Sequence, residues 1–210
     1  MTDEVQNPAG EKKNVAVIGC GGWGTALAIL LDGIGHEVTI WGVDPDYIGQ
    51  MRESRRNPRY LEGIEIPDTV GLTSDMGECV EPAEMLVAAT PTVYLREVCE
   101  RMKPHLRPAQ LVVNVAKGIE EDTLLTGSQM IEDVCGEDIL LAGLYGPSHA
   151  EEVARGMPTT VVATSKKAEL AREVQKAFMC STFRVYTNTD VIGVELGAAL
   201  KNVIAIAAGV

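Results

Sequence analysis

Aromatic residues are scarce in this chain, with two Trp, two Phe and five Tyr in 210 positions. A core of this size must therefore be packed with aliphatic side chains, and an apolar content of 46% supplies them. Histidine is scarcer still: His36, His105 and His149 stand in no HxH or HxxxH spacing, and no metal site is expected. The five cysteines, Cys20, Cys79, Cys99, Cys135 and Cys180, are odd in number and lack a CxxC pair. That pattern argues against a disulfide framework or zinc site, and for reduced thiols packed as small apolar residues. Positive charge is in deficit, 18 Lys and Arg against 30 Asp and Glu, for a net charge of −12. Such a surface disfavours nucleic acid and anionic lipid, so an anionic ligand needs a local cationic pocket. Residues 1–13 have no apolar segment of signal-peptide type and are expected to form a disordered tail. No apolar run is expected to reach membrane-spanning length, which points to the cytoplasm and no stable membrane insertion.

What the chain does have is glycine in a telling place. Asn14-Val-Ala-Val-Ile18 runs directly into Gly19-Cys-Gly-Gly-Trp-Gly24, followed by the helix-forming Thr25-Ala-Leu-Ala-Ile-Leu-Leu31. A buried strand, a glycine turn and a helix start together make a dinucleotide pyrophosphate site. Gly19 serves the tight turn, Gly21 leaves room for the phosphates, and Gly24 lets helix and strand pack closely. The free N–H groups and dipole of the helix face the anion.

Alternation continues along the chain. Strands are expected at 36–41, 85–89, 111–115, 139–142, 159–163 and 183–187, with helices at 46–55, 93–102, 148–155 and 168–179. The segment 57–67 reads as irregular. This is the pattern of an α/β, Rossmann-type, doubly wound and mostly parallel sheet with helices on both faces, spanning residues 14–189. Residues 190–210 read as one long helix with an apolar, alanine-rich end, Val203-Ile-Ala-Ile-Ala-Ala-Gly-Val210. Such a surface demands a partner. It is expected to be the first helix of an otherwise absent all-α domain, and the chain to be the front part of a longer protein.

Several side chains admit two readings. Asp44 stands 20 residues beyond Gly24, where an acidic group can bind the ribose, or it caps the next helix. Lys117 alone is an ordinary loop lysine, whereas Lys201, between Ala198-Ala-Leu200 and Val203-Ile-Ala205, either snorkels or works. Gly146-Pro-Ser148 can present N–H groups and a hydroxyl to a phosphate, or Ser148 can form a capping box with Glu151.

Gly19-Cys-Gly-Gly-Trp-Gly-Thr-Ala26, Ala116-Lys-Gly-Ile-Glu120, Gly146-Pro-Ser-His-Ala-Glu-Glu-Val153 and the stretch Gly193 to Gly209 occur in an order and spacing that resemble the NAD(P)-dependent sn-glycerol-3-phosphate dehydrogenases. Trp41, Asp44-Pro45 and Asn57-Pro-Arg-Tyr-Leu61 look like that family too. The resemblance implies interconversion of dihydroxyacetone phosphate and sn-glycerol 3-phosphate with NAD or NADP, supplying glycerol phosphate for lipids. It implies Lys201 as general acid/base, and Lys117 as the neighbouring cation touching both cofactor and substrate. Gly146 and Ser148 become substrate contacts; Gly19, Gly21, Gly22, Trp23, Gly24, Val43 and Ala150 become cofactor contacts. Val43 stands where many bacterial members carry Arg or His for a 2′-phosphate; Arg55, Arg56 or Arg59 can replace it, and the balance leans slightly to NAD. A homodimer is implied. Two further possibilities are an NAD(P)-binding module without turnover and another two-domain reductase.

Overall fold

A computed structural model describes residues 11–209 of the chain. The elements in order are β1 (Asn14–Ile18), α1 (Gly22–Ile34), β2 (Glu37–Trp41), α2 (Pro45–Ser54), β3 (Arg56–Asn57), β4 (Leu61–Glu65), β5 (Gly71–Thr73), α3 (Met76–Val80) and β6 (Met85–Ala88). They continue with α4 (Thr92–Met102), β7 (Leu111–Asn114), α5 (Gly127–Cys135), β8 (Leu140–Tyr145), α6 (Ala150–Ala154), β9 (Thr159–Thr164), α7 (Ala168–Phe178), β10 (Phe183–Asn188) and α8 (Val191–Ala208).

Eight strands form one sheet in the order β10-β9-β8-β7-β6-β1-β2-β5. All its neighbouring strands run parallel except β8 and β9, which pair antiparallel. The alternating side chains of β1 explain why its sequence is apolar throughout. Val15 and Val17 enter a cluster with Leu27, Leu31 and Phe178 from α1 and α7. Ala16 and Ile18 enter a second one with Leu95, Cys99 and Met130 from α4 and α5. Both faces of the sheet are covered, as a parallel sheet requires.

Strand order reverses at β1, whose neighbours are β2 on one side and β6 on the other. In a doubly wound sheet the crevice beyond the strand ends at this point is where ligands bind. The turn after β1 is correspondingly tight. Gly19 has φ +129°, and a Cβ there would fall 2.8 Å from the Ala89 carbonyl oxygen beyond β6.

Three features depart from expectation. The segment 57–67 is not irregular: β3 and β4 form an antiparallel ribbon through it. Asn57, buried within the ribbon, donates to the Cys20 carbonyl and to Thr25 Oγ1, both at 2.8 Å, and so braces the glycine turn. The expected helix from Ser148 is shorter, five residues from Ala150, and His149 is its N-cap, so the Ser148–Glu151 capping box is not formed. Its Ser148 N–H and hydroxyl both turn back to the Gly146 carbonyl. Finally, α8, with 18 residues and mean hydropathy 1.7, is long and apolar enough to cross a membrane by length and composition alone, against the expectation that no such run exists.

Of the expected tail, residues 1–10 lie outside the described residues. Lys13 is tied down: its N–H donates to His36 Nδ1 at 3.2 Å, which leaves Nε2–H to donate to the Ala177 carbonyl at 3.0 Å. His36 is thus a satisfied core side chain.

Candidate active site

The glycine turn places the start of α1 at the crevice. Gly21 is its N-cap, and no side chain caps the first turn, so its amides keep their capacity for an anion. The three loop glycines differ in what surrounds them. A Cβ on Gly21 would meet nothing within 4 Å, so that side of the turn is open. On Gly22 a Cβ would fall 2.4 Å from the Tyr60 carbonyl oxygen, and on Gly24 2.1 Å from that of Gly19. Gly22 and Gly24 therefore serve chain packing, while Gly21 fronts open space.

Trp23, the second residue of α1, forms the next part of the wall. The Lys117 ammonium lies 5.6 Å from its ring centroid and donates to the Gly146 carbonyl at 3.0 Å. Three expected site segments, from the ends of β1, β7 and β8, thereby meet at one point. Ala150 packs beside them, its Cβ close to Gly22. Lys117 itself is an exposed residue, held at this mouth by its hydrogen bond to Gly146. Partial withdrawal from water, and then the charge of Lys201, lower its pKa below the ordinary lysine value. The two lysines expected to act together are thus electrostatic neighbours, although one comes from β7 and the other from α8.

Two buried polar atoms on these walls, Trp23 Nε1 and Thr92 Oγ1, have no hydrogen-bond partner. Thr92 opens α4 and stands against the Lys117 loop, where a Cβ on Gly118 would fall 2.6 Å from its hydroxyl. Unpartnered buried donors are costly and fit a cleft built for a polar ligand.

Around the β2 end the sequence alternatives separate. Asp44 Oδ1 accepts from the N–H groups of Asp46 and Tyr47, both at 3.1 Å, so Asp44 caps α2. Val43 beside it is 60% exposed. Arg55 is committed elsewhere, donating to the carbonyls of Ile66, Pro67 and Val70 and pairing with Asp68. Arg59 instead lies 4.2 Å from the Tyr47 ring centroid, in the cation–π arrangement.

The helix carrying Lys201 is anchored by a residue that composition and motif do not single out. Glu195 is the only residue of α8 classed as buried among those described. Its Oε1 accepts from Asn114 Nδ2 at 3.1 Å, from the Ser128 N–H at 3.0 Å and from Tyr145 OH at 2.7 Å, and its Oε2 from Thr126 Oγ1 at 2.6 Å. A glutamate on an apolar helix was the available signal, since a charge buried there needs partners. The partners themselves come from β7, β8 and the start of α5, and only the fold brings them together.

A doubly wound sheet, a glycine turn at its switch point and a helix N-terminus facing open space define a Rossmann-type dinucleotide-binding domain. Within that class, residues 14–171 match the family described as NAD-dependent glycerol-3-phosphate dehydrogenase N-terminus, and the chain belongs to it. A glycerol-3-phosphate dehydrogenase (NAD(P)+) of Chlorobium limicola is 48% identical across 94% of this chain and 60% of its own length. One of the same name from Salinibacter ruber is 47% identical, across 94% of this chain and 58% of its own. The crystal structure of glycerol-3-phosphate dehydrogenase from Coxiella burnetii superposes with a TM-score of 0.87 at 32% identity, over 94% of this chain and 60% of that one. The chain thus spans about three fifths of the length of the curated relatives it matches. In that family setting the fold is the N-terminal cofactor domain, and α8 begins the domain that follows it.

Proposed function

We propose that this chain carries the cofactor domain and reactive lysines of an enzyme interconverting dihydroxyacetone phosphate and sn-glycerol 3-phosphate with NAD or NADP. The observation that carries the reading is the convergence of Lys117 and Lys201 at the mouth of the glycine-turn crevice, in a chain of this family. Bound there, the nicotinamide supplies the hydride. Gly21 and the free amides of the first turn of α1 take the pyrophosphate side, Gly19, Gly22 and Gly24 keep the turn tight enough for that approach, Trp23 lines the wall, and Val43 and Ala150 border the cofactor further out. Lys201 passes a proton to the ketone oxygen on reduction and takes it back on oxidation. Lys117, held by the Gly146 carbonyl, keeps a second positive charge beside that oxygen. In a molecule of net charge −12, this pair is also the local attraction that a phosphate ester needs. Gly146 and Ser148 border the substrate.

Val43 offers nothing to a 2′-phosphate and Arg55 is occupied, which favours NAD; the exposed Arg56, and Arg59 over the Tyr47 ring, are the cations left for NADP. The product feeds the glycerol phosphate backbone of lipids, in the cytoplasm. The exposed apolar face of α8 supports a homodimer over membrane insertion, because Glu195 pins that helix to the cofactor domain.

The test is the absorbance decay of NADH, then NADPH, on the purified chain with and without dihydroxyacetone phosphate. Decay that needs the substrate establishes the activity. Cofactor binding without any decay would leave this chain as a dinucleotide-binding module that depends on further sequence for turnover.

A further inference from the structure

The carboxylate of Glu195 receives four donors from three separate elements: Asn114 at the end of β7, Thr126 and Ser128 at the start of α5, and Tyr145 at the end of β8. Each of these is itself fixed. Asn114 is fully buried, and its Oδ1 accepts from the Ala116 N–H at 3.0 Å, one residue before Lys117. The Thr126 N–H is held by Gln129 Oε1 at 2.9 Å. Tyr145 keeps its proton, because burial and then the charge of Glu195 push its pKa well above the ordinary phenol value. The Ser128 N–H belongs to the first turn of α5, where a helix dipole favours negative charge.

By contrast, little else holds α8. Its apolar residues Leu200, Val203, Ile204 and Ile206 are all exposed. Lys201 lies six residues beyond Glu195, about 9 Å along the axis at 1.5 Å per residue. A helix held at one buried point carries that point's position outward as a rigid rod. A slip of one residue at Glu195 would swing Lys201 by about 100° around the axis.

We propose that Glu195 is a positioning residue, which sets the height and roll of α8 against the cofactor domain and thereby places the Lys201 ammonium beside Lys117. The catalytic consequence rests on the proposed dehydrogenase function; the juxtaposition does not. The network also explains why Asn114 precedes the Lys117 loop: one side chain receives the loop's amide and donates to the carboxylate that fixes the opposing lysine.

The test is a titration of the Lys117 ammonium by nitrogen-15 NMR in the full 210-residue chain. Lys201→Ala removes the neighbouring charge and moves the Lys117 titration upward. Glu195→Ala, if it frees α8, moves it upward as well, toward the K201A value. Simple loss of a negative charge would move it downward, so the sign separates positioning from direct electrostatics. Glu195→Gln can keep the geometry by donating to Thr126 Oγ1 and accepting from the other three, so its Lys117 titration shows no upward shift, only the null or downward change that loss of the charge itself brings. NADH affinity within about twofold of the parent reports an intact glycine turn.

Should E195A fail to fold, Thr126→Val with Tyr145→Phe removes two of the four donors while keeping the charge, and a smaller upward shift is expected. A Lys117 titration that K201A leaves unmoved overturns the proposal, as does a downward or null shift in E195A, or in the double variant where E195A is unfolded. Where the chain turns over dihydroxyacetone phosphate, E195A lowers kcat about a hundredfold, the scale of an ångström-level misplacement. Absence of turnover in the parent counts against the dehydrogenase reading alone and leaves the titration to decide this one.

Discussion

At the scale of single residues, the glycine turn separates folding from binding. Gly24 is locked by the chain, since a Cβ would fall 2.1 Å from the Gly19 carbonyl oxygen, whereas Gly21 faces open space. Gly24→Ala is therefore expected to lower the melting temperature and to lose NADH binding with it. Gly21→Ala keeps an ordinary backbone, φ −67°, and is expected to stay within about 0.5 kcal/mol of the parent in stability. Its methyl group occupies the pyrophosphate approach, so NADH affinity should fall at least about tenfold, a cost of about 1.4 kcal/mol. Calorimetric melting beside fluorescence titration with NADH reads both variants; a Gly21→Ala protein that binds NADH like the parent would place the pyrophosphate elsewhere. Among the cysteines, Cys79 is pushed up to about 12 by burial, while the half-buried Cys135 is shifted down by its neighbour Cys99. Iodoacetamide at pH 8 should modify Cys135 and spare Cys79, as peptide mapping by mass spectrometry can show.

Between elements, the loop that carries Lys117 ends on a clamp. Arg96 of α4 donates from Nε and from its terminal nitrogen to the two oxygens of Glu120, both at 2.8 Å, and reaches Asp133 of α5 at 2.6 Å. Thr123 Oγ1 adds a hydrogen bond to the same carboxylate. Arg96 and then Thr123 hold the Glu120 carboxyl at about 2. A folded pKa below the ordinary value of about 4.3 means that the ionised form favours the fold. The contribution is complete above about pH 4.5 and lost as the pH falls toward 2. Replacing Arg96 by Met should thus lower the melting temperature at neutral pH, and the gap from the parent should close across that window; an equal gap at pH 7 and pH 2.5 would deny Glu120 this role. Of these elements the sequence made much legible. The strand and helix periods and the glycine turn are local signals, and β1, α1, β6, α4, β7, α7 and β10 stand within a residue or a few of the expected bounds. The β3–β4 ribbon was not legible, because short, polar segments such as Arg56–Asn57 carry no period and owe their form to tertiary partners such as Tyr47 OH on Asn57. By contrast, α5 carries a local signal that the expected elements leave out, the Thr126–Gln129 capping box ahead of Met130 and Ile131. Likewise Lys117 and Lys201 were recognisable by resemblance, whereas the carboxylate between their elements was not, since its donors lie 50 to 81 residues away.

For the molecule as a whole, the unpartnered face of α8 governs behaviour in solution. Val203, Ile204 and Ile206 are 62%, 64% and 70% exposed. An apolar face of this kind favours association, opposed by the net charge of −12. Sedimentation velocity is expected to show concentration-dependent association that grows with salt. Ile204→Asp with Ile206→Asp should remove it while leaving NADH binding intact; a chain that stays monomeric throughout would deny this surface a self-associating role. The direction in which that helix travels follows from one antiparallel seam. The seam is short: β9 meets β8 only at Gly143–Tyr145, and the register brings Asn188, the last residue of β10, level with Thr164, Gly143, Asn114, Ala88 and Ile18. Because β9 opposes β8 and β10 follows β9, the chain enters α8 from the level of the Ile18 and Asn114 strand ends, and Glu195, the fifth residue of that helix, already meets Asn114 and Tyr145. Two reversed strands thus act as a switchback that hands the last helix to the same end of the sheet as the glycine turn.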